Sequence, residues 1–242
     1  MLTDPHNLAS HIKNVRSRIG HAAVLAGRDP ASITLVAVTK TQPAEVARAA
    51  AALGVTDFGE NYVREAAEKI DALRDLGLNW HFIGAIQANK TRAIAAQFAW
   101  AHSIDRLSVA RRLAEQRPFH APPLNLCIQV ALVAEPNKSG ALPAELPVLA
   151  AAIAALPRIR LRGLMCLPPP EPRVAVQREV FARLRRLLEG LNAEGLRLDT
   201  LSMGMSDDFE AAIAEGATHV RIGTALFGQR QRPKGTLEGA GT

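Results

Sequence analysis

Short apolar runs of strand character recur eight times along the chain, near 33–39, 55–59, 80–84, 99–104, 124–131, 160–167, 199–203 and 219–222. Helical patterns fit between them at 43–53, 61–75, 89–98, 106–116, 143–155, 173–193 and 206–215, with a last helix after Gly223. Strict alternation of this kind predicts a parallel sheet, because each parallel pair needs a crossover and the crossover is a right-handed helix. Eight such units in 242 residues match a single closed (β/α)8 TIM barrel, whereas an open doubly wound sheet closes with fewer strands. The first strand is followed by VTKTQPAE, not by a glycine-rich dinucleotide turn. A further helix precedes it: from about Asp4 to Ala26, Leu8, Ile12, Val15 and Ile19 share one face, and Gly27 follows as a stop. No internal boundary is visible, so residues 1–230 are expected to form one barrel domain including the N-terminal helix, with 231–242, polar and glycine-rich, a disordered tail.

A formal charge of +6 raises the question of an anionic polymer as partner. The arginines, however, are spread over outer helices such as 178–191, and aromatic residues make up only 4% of the chain, which leaves little to stack on bases. Nucleic-acid binding is not expected. Cys127 and Cys166 lie in apolar segments and form no metal-ligand pair, which suits reduced core residues and predicts no metal site. The longest apolar region, 141–157, is interrupted by Glu145 and by prolines, and the start MLTDPHNLASHIKNV lacks the apolar stretch of a signal peptide. The expectation is a soluble cytoplasmic protein without a membrane span.

In a barrel of this kind the C-terminal ends of the strands converge on one face, where the functional site lies. Lys40 closes the first strand. The later strand ends bring Gly59, Glu60 and Asn61; His81 with Gly84; His102, Ser103 and Asp105; Gln129 with Lys138; Met165 and Cys166; Ser202 to Ser206; and Arg221 with Gly223 and Thr224. The last two units point to a phosphate site: Gly223 lets the backbone approach, and Ser202 and Thr224 add hydroxyl donors near a short helix. Ser206 reads as a helix N-cap, with Asp207 and Asp208 in the first turn. A phosphate site opposite a strand-end lysine is the layout expected for pyridoxal phosphate, whose aldehyde condenses with a lysine amine. A cofactor-free Schiff-base aldolase acting on a sugar phosphate has the same requirements.

These residues lie within VAVTK ending at Lys40, FGENYVRE (58–65), WHFIGAIQANK (80–90), HSID (102–105), NKSG (137–140), GLMCLP (163–168), LSMGMSDDFEAAI (201–213) and RIGTALFG (221–228). Together the motifs resemble the pyridoxal phosphate homeostasis proteins, the YggS or proline-synthetase co-transcribed family, over about residues 8–228. The resemblance implies a barrel of the alanine racemase N-terminal domain type, with pyridoxal 5'-phosphate held on Lys40 as an internal aldimine. It implies that Ser202, Gly223 and Thr224 hold the phosphate and that Arg221 meets the pyridine nitrogen. Asn61, His81 and Met203 are placed near the ring or its hydroxyl, with a satisfied strand-end histidine as the alternative for His81. Glu60 and Tyr62 read as structural supports. The chain departs from the family pattern at Ala85, after the glycine of the third-strand motif, and at Ala131 and Leu132 in the fifth-strand segment, which removes an expected polar ring contact there.

A guanidinium can only donate, so Arg221 opposite the pyridine nitrogen would leave that nitrogen unprotonated and the ring a weak electron sink. The resemblance therefore implies a binding protein that holds pyridoxal phosphate and releases it to acceptors such as pyridoxal phosphate-dependent apo-enzymes; the oligomeric state is open, with a monomer favoured. The alternative is an amino-acid racemase or related α-carbon enzyme of weak activity. That reading needs a second acid/base; fourteen residues follow Gly228 (242 minus 228), and the one tyrosine, Tyr62, lies early in the barrel. Lys90 and Lys138, near the predicted mouth, read as solvated lysines.

Overall fold

The structure, a computed structural model, describes residues 5–133 and 139–229. Eight parallel strands, β1 (Thr34–Val38), β2 (Asp57–Glu60), β3 (Asn79–Phe82), β4 (Trp100–Ile104), β5 (Leu124–Gln129), β6 (Ile159–Met165), β7 (Thr200–Ser202) and β8 (His219–Ile222), pair in chain order, and β8 closes on β1. The crossover helices are α2 (Ala44–Ala52), α3 (Val63–Ala72), α4 (Thr91–Gln97), α5 (Leu107–Gln116), α6 (Leu146–Ala154), α7 (Val174–Ala193) and α8 (Phe209–Ala214). They follow α1 (Pro5–Leu25), and a short α9 (Thr224–Phe227) follows β8. The predicted barrel and N-terminal helix are both present. On α1, Leu8, Ile12, Val15 and Ile19 are all buried, against α8 and α9.

Strand periodicity divides the side chains into two sets. Leu35 and Ala37 of β1, Phe58 of β2, Trp80 and Phe82 of β3, Leu126 and Ile128 of β5, and Val220 and Ile222 of β8 join the apolar layer with the helices. The opposite set points into the barrel, and there the usual branched aliphatic filling gives way to polar groups. His81 stacks on Trp100 with ring centroids 5.5 Å apart, Trp100 reaches His219 at 4.9 Å, and the Arg162 guanidinium lies over Trp100 at 5.0 Å. His81 and Trp100 are register partners on neighbouring β3 and β4, whereas the contacts of Trp100 with Arg162 of β6 and His219 of β8 join strands that do not pair and so cross the lumen.

Three helix starts differ from the sequence reading. The helices expected over 89–98 and 143–155 open with 3-10 turns, Ala88–Lys90 before α4 and Pro143–Glu145 before α6, and the one expected from 206 starts at Phe209. Cys127 and Cys166 are free and buried, and burial pushes both thiols up to about 12, which keeps them protonated. Among the described residues no helix is long and apolar enough to cross a membrane, and no cluster of three or more candidate ligands could hold a metal ion. The expected tail over 231–242 and Lys138 lie outside the described residues.

Candidate functional site

The strand ends surround a cavity of about 250 Å³ whose walls include Val38, Lys40, Asn61, Ile83, Met205, Ser206, Arg221, Gly223 and Thr224. Parity explains Lys40: it follows Val36 and Val38 on the inward side of β1, so its half-buried side chain starts toward the lumen axis. Asn61 sits where β2 ends. Its backbone presses on Gly84, where an added Cβ would fall 2.3 Å from Asn61 O, so this approach needs glycine after β3. Asn61 Oδ1 is buried and has no hydrogen-bond partner among the described residues, a group that a bound ligand can satisfy.

Arg221 forms the floor. It is buried, and its Nη1 donates to Ser202 Oγ at 2.7 Å while Nη2 donates to Cys166 O at 2.9 Å. Burial lowers its pKa, but a guanidinium stays protonated and offers only donors. The polar lumen continues below it as a chain. Ser202 Oγ meets His102 Nδ1 at 2.7 Å, His102 Nε2 meets His81 Nδ1 at 2.9 Å, and His81 Nε2 meets Asp57 Oδ1 at 3.0 Å.

The proton positions along this chain follow from its ends. Desolvation, the largest cause, lowers the pKa of His81 and takes that of His102 well below the ordinary value, so both rings are neutral. Burial would raise Asp57, but hydrogen bonds from His81 and Thr56 bring it below the usual range, so it is a carboxylate and can only accept. His81 therefore donates from Nε2 and accepts at Nδ1; His102 does the same, and the Ser202 hydroxyl donates to it. Every donor points from the Arg221 cation toward the Asp57 anion. Nitrogen-15 spectra at neutral pH are expected to show both histidines as neutral Nε2–H tautomers; an Nδ1–H form of either would reverse the assignment.

Lys40, Asn61, Arg221, Gly223 and Thr224, all singled out in the sequence, line one cavity. Ser202 does not: its oxygen is turned inward and engaged by Arg221 and His102, because inward parity on β7 directs it below the cavity floor. Met203, the next residue, has the opposite parity and is buried in the outer apolar layer, and Met205 takes the place at the wall. His81 lies deeper, with both ring nitrogens engaged, as its satisfied alternative describes. Ser206 is not the N-cap of α8. Asp208 holds that position and accepts from Met205 N at 2.6 Å, while Ser206 lines the cavity and accepts from Ala225 N at 3.2 Å. Lys90 is exposed, and Tyr62 is 58% exposed. Asp57 and the link between His81 and His102 were missed by the sequence reading; their shared inward parity was the available signal.

The chain is a closed parallel barrel with a lysine just beyond its first strand, and the alanine racemase N-terminal domain family matches residues 4–231. The pyridoxal phosphate homeostasis protein of Pseudomonas aeruginosa is 60% identical over 223 residues, 92% of this chain and 96% of that protein. The one from Escherichia coli K12 is 50% identical over 232 residues, 95% and 99% of the two chains. PipY of Synechococcus elongatus, solved with PLP bound, superposes with a TM-score of 0.80 at 37% identity, covering 91% of this chain and all (100%) of that one. The chain belongs to the pyridoxal phosphate homeostasis proteins, within the alanine racemase N-terminal domain family.

Proposed function

We propose that this protein binds pyridoxal phosphate in the cavity, holds it covalently on Lys40 and releases it to acceptors, among them pyridoxal phosphate-dependent apo-enzymes in the cytoplasm. The observation that carries the reading is the convergence of Lys40, Arg221, Gly223 and Thr224 on one cavity. The PLP-bound relative of similar fold supports the identity of the ligand.

The residues present fit the group. Gly223 caps the start of α9 without a side chain, and with Thr224 and Ser206 it offers small donors suited to a phosphate. Asn61 has an unpartnered amide oxygen for a polar ring substituent, its O and N assignment being interchangeable. Arg221 is held by Ser202 and Cys166 with donors left over for a ring nitrogen. When bound, pyridoxal phosphate supplies an aldehyde that condenses with a primary amine and releases water. Lys40 provides that amine, and exchange for an incoming amine returns it.

Arg221 also bears on what the site does not do well. A donor-only partner keeps a pyridine nitrogen unprotonated, which weakens electron withdrawal and favours holding and release over chemistry at an α-carbon. Borohydride reduction of the pyridoxal phosphate-loaded protein, followed by peptide mass spectrometry, is expected to place the adduct on Lys40, and Lys40→Ala is expected to abolish it. An adduct of equal yield on another lysine would overturn the assignment.

A further inference from the structure

The turn that carries Lys40 is tied on both sides to one buried ammonium group outside the cavity. Lys69, on α3, is 4% exposed, and its Nζ donates to Glu60 Oε1 at 2.7 Å, Glu65 Oε1 at 2.6 Å and Thr39 O at 2.5 Å. An ammonium has three protons, and all three are used. The same two carboxylate oxygens reach the residues flanking Lys40. Thr39 Oγ1 donates to Glu60 Oε1 at 2.7 Å, and Thr41 N donates to Glu65 Oε1 at 2.5 Å. Thr41 has φ 67°, a left-handed conformation that a β-branched residue adopts only when its surroundings impose it. The Glu65 bond to its N–H is such a restraint.

The cluster is an expensive way to hold a loop. Glu60 is fully buried, its Oε2 has no hydrogen-bond partner among the described residues, and burial pushes its carboxyl up while Lys69 and Thr39 pull it down. A buried ion pair with one oxygen left over is weak evidence for stability, and its best-attested use is to specify geometry. The geometry specified here is local. Residues 39 and 41 are both anchored, and residue 40 lies between them with its side chain at the cavity wall. Lys69, Glu60 and Glu65 are not among the residues lining that cavity.

We propose that Lys69, with Glu60 and Glu65, is a positioning clamp for Lys40, fixing the backbone on either side of it so that its amine is presented to the carbonyl of bound pyridoxal phosphate. The clamp rests on the reading of Lys40 as the attachment residue. It sets the rate and extent of attachment while leaving the rest of the cavity, and so non-covalent affinity, unchanged.

A double-mutant cycle on the full chain tests this, with wild type, Lys69→Met, Lys40→Ala and the double variant each titrated with pyridoxal phosphate. Lys69→Met is expected to slow formation of the borohydride-stable adduct at Lys40 about tenfold, and to change affinity by less than about twofold when Lys40 is already alanine. The pH midpoint of the visible absorbance band is expected to move in Lys69→Met. Equal losses in both backgrounds would mean that Lys69 supports the cavity as a whole, and unchanged adduct formation would mean that it supports nothing there; either result overturns the clamp. If Lys69→Met does not fold, Glu65→Ala carries the same comparison with an expected loss of about threefold, since its side chain is 28% exposed and the Lys69–Glu60 pair remains. A wild-type adduct on a lysine other than Lys40 would instead sink the attachment reading, and the clamp with it.

Discussion

Gly163→Ala is expected to destabilise the protein by at least about 4 kcal/mol, enough to leave little folded protein if the domain is of ordinary stability. Gly163 lies in β6 opposite Thr200 of β7, and a Cβ there would fall 1.8 Å from Thr200 O and 2.7 Å from its carbonyl carbon. Both obstructing atoms are backbone, so no side chain can swing away and the two strands must part. The consequence reaches the site. β6 leads into Cys166 and β7 carries Ser202, the two acceptors that hold Arg221, so parting the strands loosens the cavity floor. Gly190→Ala is the control: nothing lies within 4 Å of its added Cβ, it sits inside α7, and alanine there is expected to stabilise by about 0.5–1 kcal/mol. Urea denaturation checks both. Similar midpoints for the two variants would show that β6 and β7 can separate without cost.

Acid is expected to unfold the protein steeply, beginning as the pH falls below about 6.5, the ordinary histidine value. Burial lowers the pKa of His81, His102 and His219, that of His219 to about 3. For a group whose folded pKa is depressed, the unfolded chain binds the proton first, so stability is lost as pH falls from the unfolded value toward the folded one. Each histidine that stays neutral in the fold contributes a slope of about 1.4 kcal/mol per pH unit, so His219 alone costs about 2 kcal/mol between pH 6.5 and 5. Asp57, also depressed, adds to the loss at lower pH, whereas Glu60 and Asp208, raised chiefly by burial, oppose it as they take up protons. Stability measured by denaturant between pH 7 and 5 is expected to fall less steeply in His219→Gln, by about 1.4 kcal/mol per unit, whatever constant offset the substitution brings. An unchanged slope would mean that His219 is not buried in neutral form.

Much of the site was legible because it is local. Lys40 follows an apolar strand, and Gly223 and Thr224 stand between the last strand and a short helix, so chain order and barrel convergence bring them together before any coordinates are known. Ser202 and Met203 lie off the cavity wall for a reason that is also physical. A strand three residues long leaves a one-residue ambiguity in where it ends, and each step of one residue exchanges lumen for outer layer. Serine before two aspartates has the form of a helix cap, but the turn runs on to Asp208 and leaves the Ser206 hydroxyl at the cavity. Lys69 carried a signal that went unused: it lies three residues after buried Ala66, on the inner face of α3, where a charge requires a partner.

The sequence by itself determined the eight-fold alternation, the barrel and the face on which function gathers, because these depend on periodicity and on the handedness of short connections. The choice of Lys40 as the proposed attachment residue and of Gly223 and Thr224 as proposed phosphate donors rests on the same source. Only the tertiary structure decided what lies beneath them. The path from Arg221 through Ser202, His102 and His81 to Asp57 joins five residues on five strands, and the clamp on Lys40 joins α3 to the ends of β1 and β2. Such contacts form across a lumen or between layers, where the neighbours of a residue are set by the closure of the sheet and not by its distance along the chain.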